Sequence, residues 1–565
     1  MTAADLGPRR RGAAWIARRF TQLPVAVQAA ICWVPGCLVF FRDQFTSGFD
    51  RIGGDGADAR LVVVLHEHWF NVFRGRASWT SPNFFFPAKG ALGYSDTLFL
   101  NQIFYGPLRA IGLDPFLAFE WAVILLSLLG FAGFFLLCRT ELSLGVGASA
   151  ALATAFAFAN NLNIISVHPQ LYALYWLPAL LLLLLRVARA QSRLRRAAWG
   201  AVSGLLFGLM LFSAYYIAWF VVLAAIVLAL VYGSLSIRIV GWRRVVGLAR
   251  SAIAGVVGFA GGTIAGLVPF LIVYVPVLRA TGGRTYEQVM SYAATPRDVL
   301  NLGRSNYLWG PVVRSHVPVG HLLNTETSLA VTPLLFVLAA GAVALAIRHR
   351  GSPGLATLTR LCAATGITAA ILAVLPIRFG FGSLWRIPWV LMPGAEGIRA
   401  IGRVDLVVAP MVCLTVALGL VLVERTWSRT APRAPLLSAG LTLLLAIAVV
   451  EQFNTGEFAG IDRSIENSRL DEAPSPPQSC RSFFVIDRQM LSFVANIDAM
   501  LLAVHLGIPT VNGYSGQYPP GFILLDMSDP AYFDNVRSWV AANHVEGGLC
   551  SYDTVSHTWM PAPPP

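Results

Sequence analysis

FLAFEWAVILLSLLGFAGFFLL, residues 116–137, is the stretch on which the fold class turns. It carries one charged side chain, Glu120, close to its start. A helix rises 1.5 Å per residue, so a run of this length reaches across a hydrocarbon core about 30 Å thick. Only a helix serves there, because a backbone amide left unpaired in hydrocarbon is costly. Comparable runs recur at 23–41, 144–159, 171–186, 198–213, 217–234, 251–278, 329–347, 359–376, 404–423 and 436–450, about eleven spans in all. The composition agrees: of 565 residues, 56% are hydrophobic and 13% charged, with a mean hydropathy of +0.64. A soluble chain carries roughly 25% charged residues. The expected fold is a polytopic α-helical membrane protein.

The net charge of +13 invites a nucleic-acid reading, but its placement argues for topology instead. With these spans, the segments on the amino-terminal side hold 21 cationic residues against three acids, Asp5, Glu141 and Glu424. The opposite side holds the other 21 cations and 26 acids. Such a bias follows the positive-inside rule. It predicts a cytosolic amino terminus, an extracytoplasmic carboxyl terminus, and residence in the plasma (inner) membrane, with no nucleic-acid partner. The first run ends in Leu38-Val39-Phe40-Phe41 rather than at a small-residue cleavage site, so it reads as an anchor.

The chain divides into a basic cytosolic start (1–22), a transmembrane domain (23–450) with long outer loops at 42–115 and 279–328, and an extracytoplasmic α/β tail (451–565). In the tail, 482–487 has a strand pattern and 496–506 the apolar spacing of a helix. Residues 509–514 read as strand into turn, Asp529 as the cap of a second helix through Trp539, and the final Pro-rich residues as unstructured. Of seven cysteines, only Cys480 and Cys550 lie in the tail. An even pair in an oxidising compartment predicts a disulfide, worth about 4 kcal/mol in loop-closure entropy.

Long ordered loops on one face of a rigid scaffold carry function, and the span centres hold almost no ionisable residue. Both point to chemistry at the outer surface. The first outer loop contains Asp50-Arg-Ile-Gly-Gly-Asp55-Gly-Ala-Asp58-Ala-Arg60, three aspartates among glycines at a helix start. Aspartate and glycine also serve ordinary turns and caps. Arg399 and Arg403 stand at the outer entry to the tenth span, where a planar guanidinium suits either phosphate or a salt bridge with Glu396 or Asp405. His168 opens the fourth span and Glu326 closes the second loop. His66-Glu67-His68 is a poor metal motif, because helical residues two apart face different directions. Trp69, Trp79, Tyr307 and Trp309 suit either sugar stacking or the membrane interface.

An acidic motif in the first external loop, a following juxtamembrane helix, many spans and an external carboxyl-terminal domain resemble the GT-C glycosyltransferases. That superfamily includes oligosaccharyltransferase catalytic subunits, protein O-mannosyltransferases and the aminoarabinose transferases of lipid A. The stretches GGDGADARL, SWTSPNFFFPAKGALGYSD, HPQLYALYWLPALLLLLLR, PGAEGIRAIGR and NGYSGQYPP also resemble a bacterial group of GT-C-like membrane proteins. The Asp-Glu pair of some members is missing. The resemblance implies transfer, with inversion, of a sugar from a polyprenyl-phosphate donor to a lipid or cell-envelope glycan. It implies a base at Asp58 or Asp55, with Asp58 preferred because it opens the helix. Donor phosphate would meet Arg399 and Arg403, and Asp50, Arg60, His168 and Glu326 would stand near substrate. No cofactor is required, and a divalent cation is compatible. Two other readings are a membrane scaffold whose tail binds an envelope partner and a lipid or glycan transporter.

Overall fold

The apolar runs become helices wherever their length supports one. A computed structural model describes residues 19–561 except 241, 330, 353, 381, 428–433, 457–459, 488 and 546. Among the described residues, seven helices are long and apolar enough to cross a membrane: Pro115–Glu141, Pro169–Arg189, Arg193–Ser213, Tyr215–Ser236, Ala252–Thr281, Ala356–Val374 and Ile401–Thr426. The runs at 23–41, 329–347 and 436–450 form shorter apolar helices, Val25–Phe40, Pro333–Arg348 and Leu436–Val450. The architecture is a multi-pass helical membrane protein. Most of the basic start at 1–22, Arg429 and Arg433, and the Pro-rich end at 562–565 lie outside the described residues.

The run at 144–159 is cut back to Val146–Ala157. It stops where Asn160-Asn161-Leu-Asn163 begins, because these polar side chains leave the helix to bond neighbouring segments. Asn160 Nδ2 donates to the Leu302 carbonyl at 2.8 Å, and Asn161 Nδ2 to that of Asp405 at 3.2 Å. The tightest helix pairing joins Arg193–Ser213 to Ala252–Thr281. A Cβ on Gly204 would strike the Phe259 carbonyl oxygen, and one on Gly262 that of Ala201. Small residues let two backbones touch where lipid offers no hydrophobic driving force between helices.

Ile401–Thr426 is the most deeply buried of the long helices. One of its ends faces the long loops. There Gly402 lies so close to the Glu326 carbonyl oxygen that a Cβ would sit 2.6 Å from it. The second long loop is thereby pressed onto the start of this helix.

The tail is α/β, as its patterning predicts. Strands Ser482–Ile486 and Leu549–Asp553 pair in parallel, and Thr558–Pro561 adds antiparallel to the second. Thr510 bridges to Phe483 on the other side. Helix Ser492–Leu506 starts earlier than expected, and Tyr532–Ala542 later, because Asp529 Oδ1 accepts from the Ala531 amide in a turn first. Cys480 and Cys550 are disulfide-bonded. The tail is fastened to the first loop by an antiparallel pairing of Arg51–Ile52 with Ile461–Asp462.

Candidate active site

Helix Asp58–Phe73 begins at the acidic motif. Asp55 supplies the local cap: its Oδ1 accepts from the amides of Ala57 at 3.1 Å and Ala59 at 3.3 Å. Gly54 has φ +107°, a region closed to most side chains, and a Cβ there would collide with Ala59. The loop is held by an acid of the neighbouring membrane helix, since the Gly53 amide donates to Glu120 Oε2 at 2.6 Å. These contacts set Asp58 at the first turn with its carboxylate turned toward the bundle.

Four residues from four distant segments meet there. Asp58 Oδ2 lies 2.6 Å from His168 Nδ1 and accepts from Gln170 Nε2 at 3.0 Å. The other ring nitrogen of His168 lies 3.1 Å from Glu326 Oε1. Arg403 donates to both Glu326 oxygens, Nε to Oε2 at 2.7 Å and Nη2 to Oε1. With both carboxylates ionised, both imidazole nitrogens must donate, so His168 is an imidazolium. Asp58 Oδ1 accepts no hydrogen bond among the described residues.

The electrostatics follow from this chain of contacts. Burial pushes the Asp58 carboxyl up, but the hydrogen bond and charge of His168, with Gln170 and Arg403, leave it below the usual range. Glu326 behaves alike: burial raises it, and His168 and Arg403 together drive it well below. His168 is lowered by burial and raised further by its bonds to Asp58 and Glu326, ending above its ordinary value. Asp55 goes the other way, raised by burial against the pull of its amide bonds.

A cationic mouth lies beside the four. The Arg399 guanidinium stacks over Tyr292 at 4.9 Å, and its amide donates to the Tyr216 hydroxyl at 2.6 Å. Burial and the nearby Arg399 charge lower Arg284, which bonds the Gly516 carbonyl at 2.7 Å. Among the described residues, neither Arg399 nor Arg284 forms an ion pair. The charges of Asp58, Asp55 and Arg399 all act on Tyr514, which brings the tail stretch NGYSGQYPP to the same place. Asp96 stands near as well. Burial pushes its carboxyl up to about 6, against the Tyr215 amide (3.0 Å) and Arg403, with Asp58 adding to the rise. Sequence reasoning missed Asp96, Tyr216, Tyr292 and Arg284. Asp96 closes a stretch singled out for its resemblance, which was the one available signal.

Asp58, His168, Glu326 and Arg403 thus converge, with Arg399 alongside. Arg403 pairs with Glu326, neither Glu396 nor Asp405, and so is less free for phosphate than Arg399. Asp50 is solvent-exposed. Arg60 turns away into the tail, where it binds Glu466 and Asp498. Trp69 is buried, its Nε1 donating to the Thr97 carbonyl at 2.6 Å, so it presents no free face to a sugar, and Trp309 Nε1 donates to Glu451 at 2.8 Å. His66 bonds Gln102, and Glu67 bonds Tyr105 and Arg109. Among the described residues no group of three His, Cys, Asp or Glu is arranged to hold a metal ion.

No protein-family model matches the chain, and no curated protein does. Among solved structures, the chain is similar to the arabinofuranosyltransferase AftD from Mycobacteria at 15% identity and TM-score 0.44, over 82% of this chain and 29% of that one. It is similar to the Archaeoglobus fulgidus oligosaccharyltransferase at 14% identity and TM-score 0.45, over 94% and 68%. ArnT from Cupriavidus metallidurans follows at 12% and 0.32, over 86% and 87%. At these scores no residue role carries across, and the site stands on its own side chains.

Proposed function

We propose that this chain is a GT-C-type membrane glycosyltransferase that moves a sugar, with inversion, from a polyprenyl-phosphate donor to a lipid or cell-envelope glycan at the outer face of the plasma membrane. The observation that carries the reading is that Asp58, whose Oδ1 accepts no hydrogen bond among the described residues, and Arg399, which forms no ion pair among them, both act on Tyr514 of the tail. One offers a proton acceptor and the other an anion site, at the mouth of a membrane bundle.

A sugar on a lipid phosphate already has a good leaving group, so a general acid is dispensable. The acceptor hydroxyl oxygen attacks the anomeric carbon and its proton passes to Asp58 Oδ1. The bond from that carbon to the phosphate oxygen breaks, and the leaving polyprenyl phosphate gathers charge that Arg399 and Arg284 stabilise. His168 and Gln170 hold the other oxygen of Asp58, fixing the direction of its free lone pairs. Glu326, gripped by Arg403, fixes His168 in turn. A depressed carboxyl stays ionised at neutral pH, and the hydroxyl proton becomes acidic as the new C–O bond forms. Attack from the face opposite the phosphate inverts the centre.

The test is sugar transfer in membranes by the wild type and by Asp58→Asn and Asp55→Asn separately, at matched expression. Loss with Asp58→Asn supports the assignment. Full activity in both variants overturns the site.

A further inference from the structure

Helix Asp58–Phe73 carries two charges in its first turn that do opposite things. Residues two apart on a helix face nearly opposite directions. Asp58 meets His168 on one side, and Arg60 enters the tail on the other. The Arg60 side chain is 1% exposed. Its Nε donates to Glu466 Oε2 at 2.9 Å, its Nη2 reaches both Glu466 and Asp498, and Arg469 joins Glu466 at 3.0 Å. Glu466 lies on helix Arg463–Asp471 and Asp498 on Ser492–Leu506, so one guanidinium ties two tail helices to the acidic loop.

The tail grips the same loop from the other end. Ile461–Asp462 pairs with Arg51–Ile52, the Gly460 amide donates to the Gly54 carbonyl at 3.1 Å, and the Arg463 amide to that of Asp50 at 2.8 Å. A Cβ on Gly460 would strike the Gly54 oxygen. Residues 50–60 are therefore splinted at both ends by the tail.

The place Arg60 occupies has its own meaning. From strand Ser482–Ile486 the chain crosses to Thr510 on one side, then returns to Leu549–Asp553 on the other. In an α/β sheet the crevice at the carboxyl ends of strands, where the connections diverge, is where ligands sit. A cavity of about 60 Å³ lies there, lined by Arg60, Glu466, Asp487, Asp498, Thr554 and His557. Arg60, from helix Asp58–Phe73, forms one of its walls, with its guanidinium bound to Glu466 and Asp498.

We infer that Arg60 is a positioning residue: the tail's crevice takes its guanidinium as an internal ligand, and this clamp, with the pairing of 51–52 to 461–462, fixes the loop that aims Asp58 at His168. The inference rests on the proposed role of Asp58 for its catalytic consequence. Its structural part stands apart from that role.

The experiment uses the full chain in nanodiscs as wild type, Arg60→Met, Arg60→Lys and Asp498→Asn. Amide hydrogen exchange over 53–59 and the NMR titration of His168 are read without any transfer assay. Arg60→Met is expected to speed exchange at 53–59 at least tenfold and to shift the His168 titration toward lower pH, as Asp58 loses its fixed aim. Arg60→Lys, keeping the charge, returns part of both effects. Asp498→Asn, which removes charge with little change of shape, shifts them in the same direction by less. In a transfer assay, Arg60→Met lowers kcat about tenfold or more with the donor KM within about twofold. Unchanged exchange and an unchanged His168 titration in Arg60→Met overturn the inference. Should both shift while the wild type transfers no sugar, the clamp stands and the enzymatic reading falls.

Discussion

Two buried clusters of arginine and carboxylate flank the first turn of one helix. Asp58–His168–Glu326–Arg403 lies on the bundle side, and Arg60–Glu466–Asp498–Arg469 on the tail side. Both gather acids and bases from far apart in the chain. They differ in what is left over. In the tail cluster the carboxylate side chains are 9% exposed and both bind Arg60, whose Nη1 has no partner among the described residues and shares a small cavity with Asp487 and His557. In the bundle cluster Asp58 is 22% exposed, and among the described residues its Oδ1 accepts no hydrogen bond while Arg399 and Arg284, close by, form no ion pair. Buried charge alone marks structure as often as chemistry. A partly exposed carboxylate with cations close by is what separates the two.

That contrast breaks first at Asp58. Asp58→Asn is expected to lower kcat about 10³-fold, within the range for removing a general base, while the tail unfolds in denaturant as in the wild type. Arg60→Met should act mainly on stability, costing the tail about 3 kcal/mol, because two buried carboxylates lose the cation between them and keep only the part-exposed Arg469. Denaturant unfolding of the full chain, followed by tail tryptophan fluorescence, reads it, and a loss below about 1 kcal/mol would erase the distinction between the clusters. Arg399→Gln is expected to raise the donor KM about 10–100-fold with a smaller change in kcat, as a charged hydrogen bond to phosphate is worth about 1.5–3 kcal/mol.

The pH profile sharpens the comparison further. His168 is raised in the folded chain, so its contribution is complete below the unfolded value of 6.5 and is lost as pH climbs through the folded one. Asp58 and Glu326 are depressed, so theirs is present above 3.8 and 4.5 and is lost as pH falls through their folded values. Activity should hold across the window between and fall about tenfold per pH unit on the alkaline side. A profile flat through the alkaline limb would remove the imidazolium from the account. The smallest effect is expected from Asp55→Asn, since an amide oxygen still caps the helix. Transfer should fall less than about tenfold, with a stability change under about 1 kcal/mol.

Much of this was legible in the sequence because membranes impose strict rules. Span length, the arginine bias and the sidedness of loop length placed the helices and drew attention to one face. Asp58, His168, Glu326 and Arg403 each stood out singly at that face, yet their partnership was not readable. His168 lies 110 residues from Asp58, and Glu326 lies 77 from Arg403. Arg60 shows the limit most plainly. Beside three aspartates it read as a substrate contact, but its partner Asp498 is 438 residues away on a helix of the tail. Asp96 escaped notice because burial, which tunes it, has no local signature. The run at 144–159 read as a full span because it is apolar throughout, whereas the helix it forms, Val146–Ala157, stops two residues short of it at each end.

Anomeric configuration gives the most direct measurement. The chain, purified into nanodiscs, is given a panel of polyprenyl-phosphate sugars with envelope lipid extracts, and the new linkage is read by NMR against the donor's. The expected result is release of polyprenyl phosphate and a product of opposite configuration, both absent with Asp58→Asn. A product of retained configuration, or transfer undiminished in that variant, would contradict a single displacement driven from Asp58.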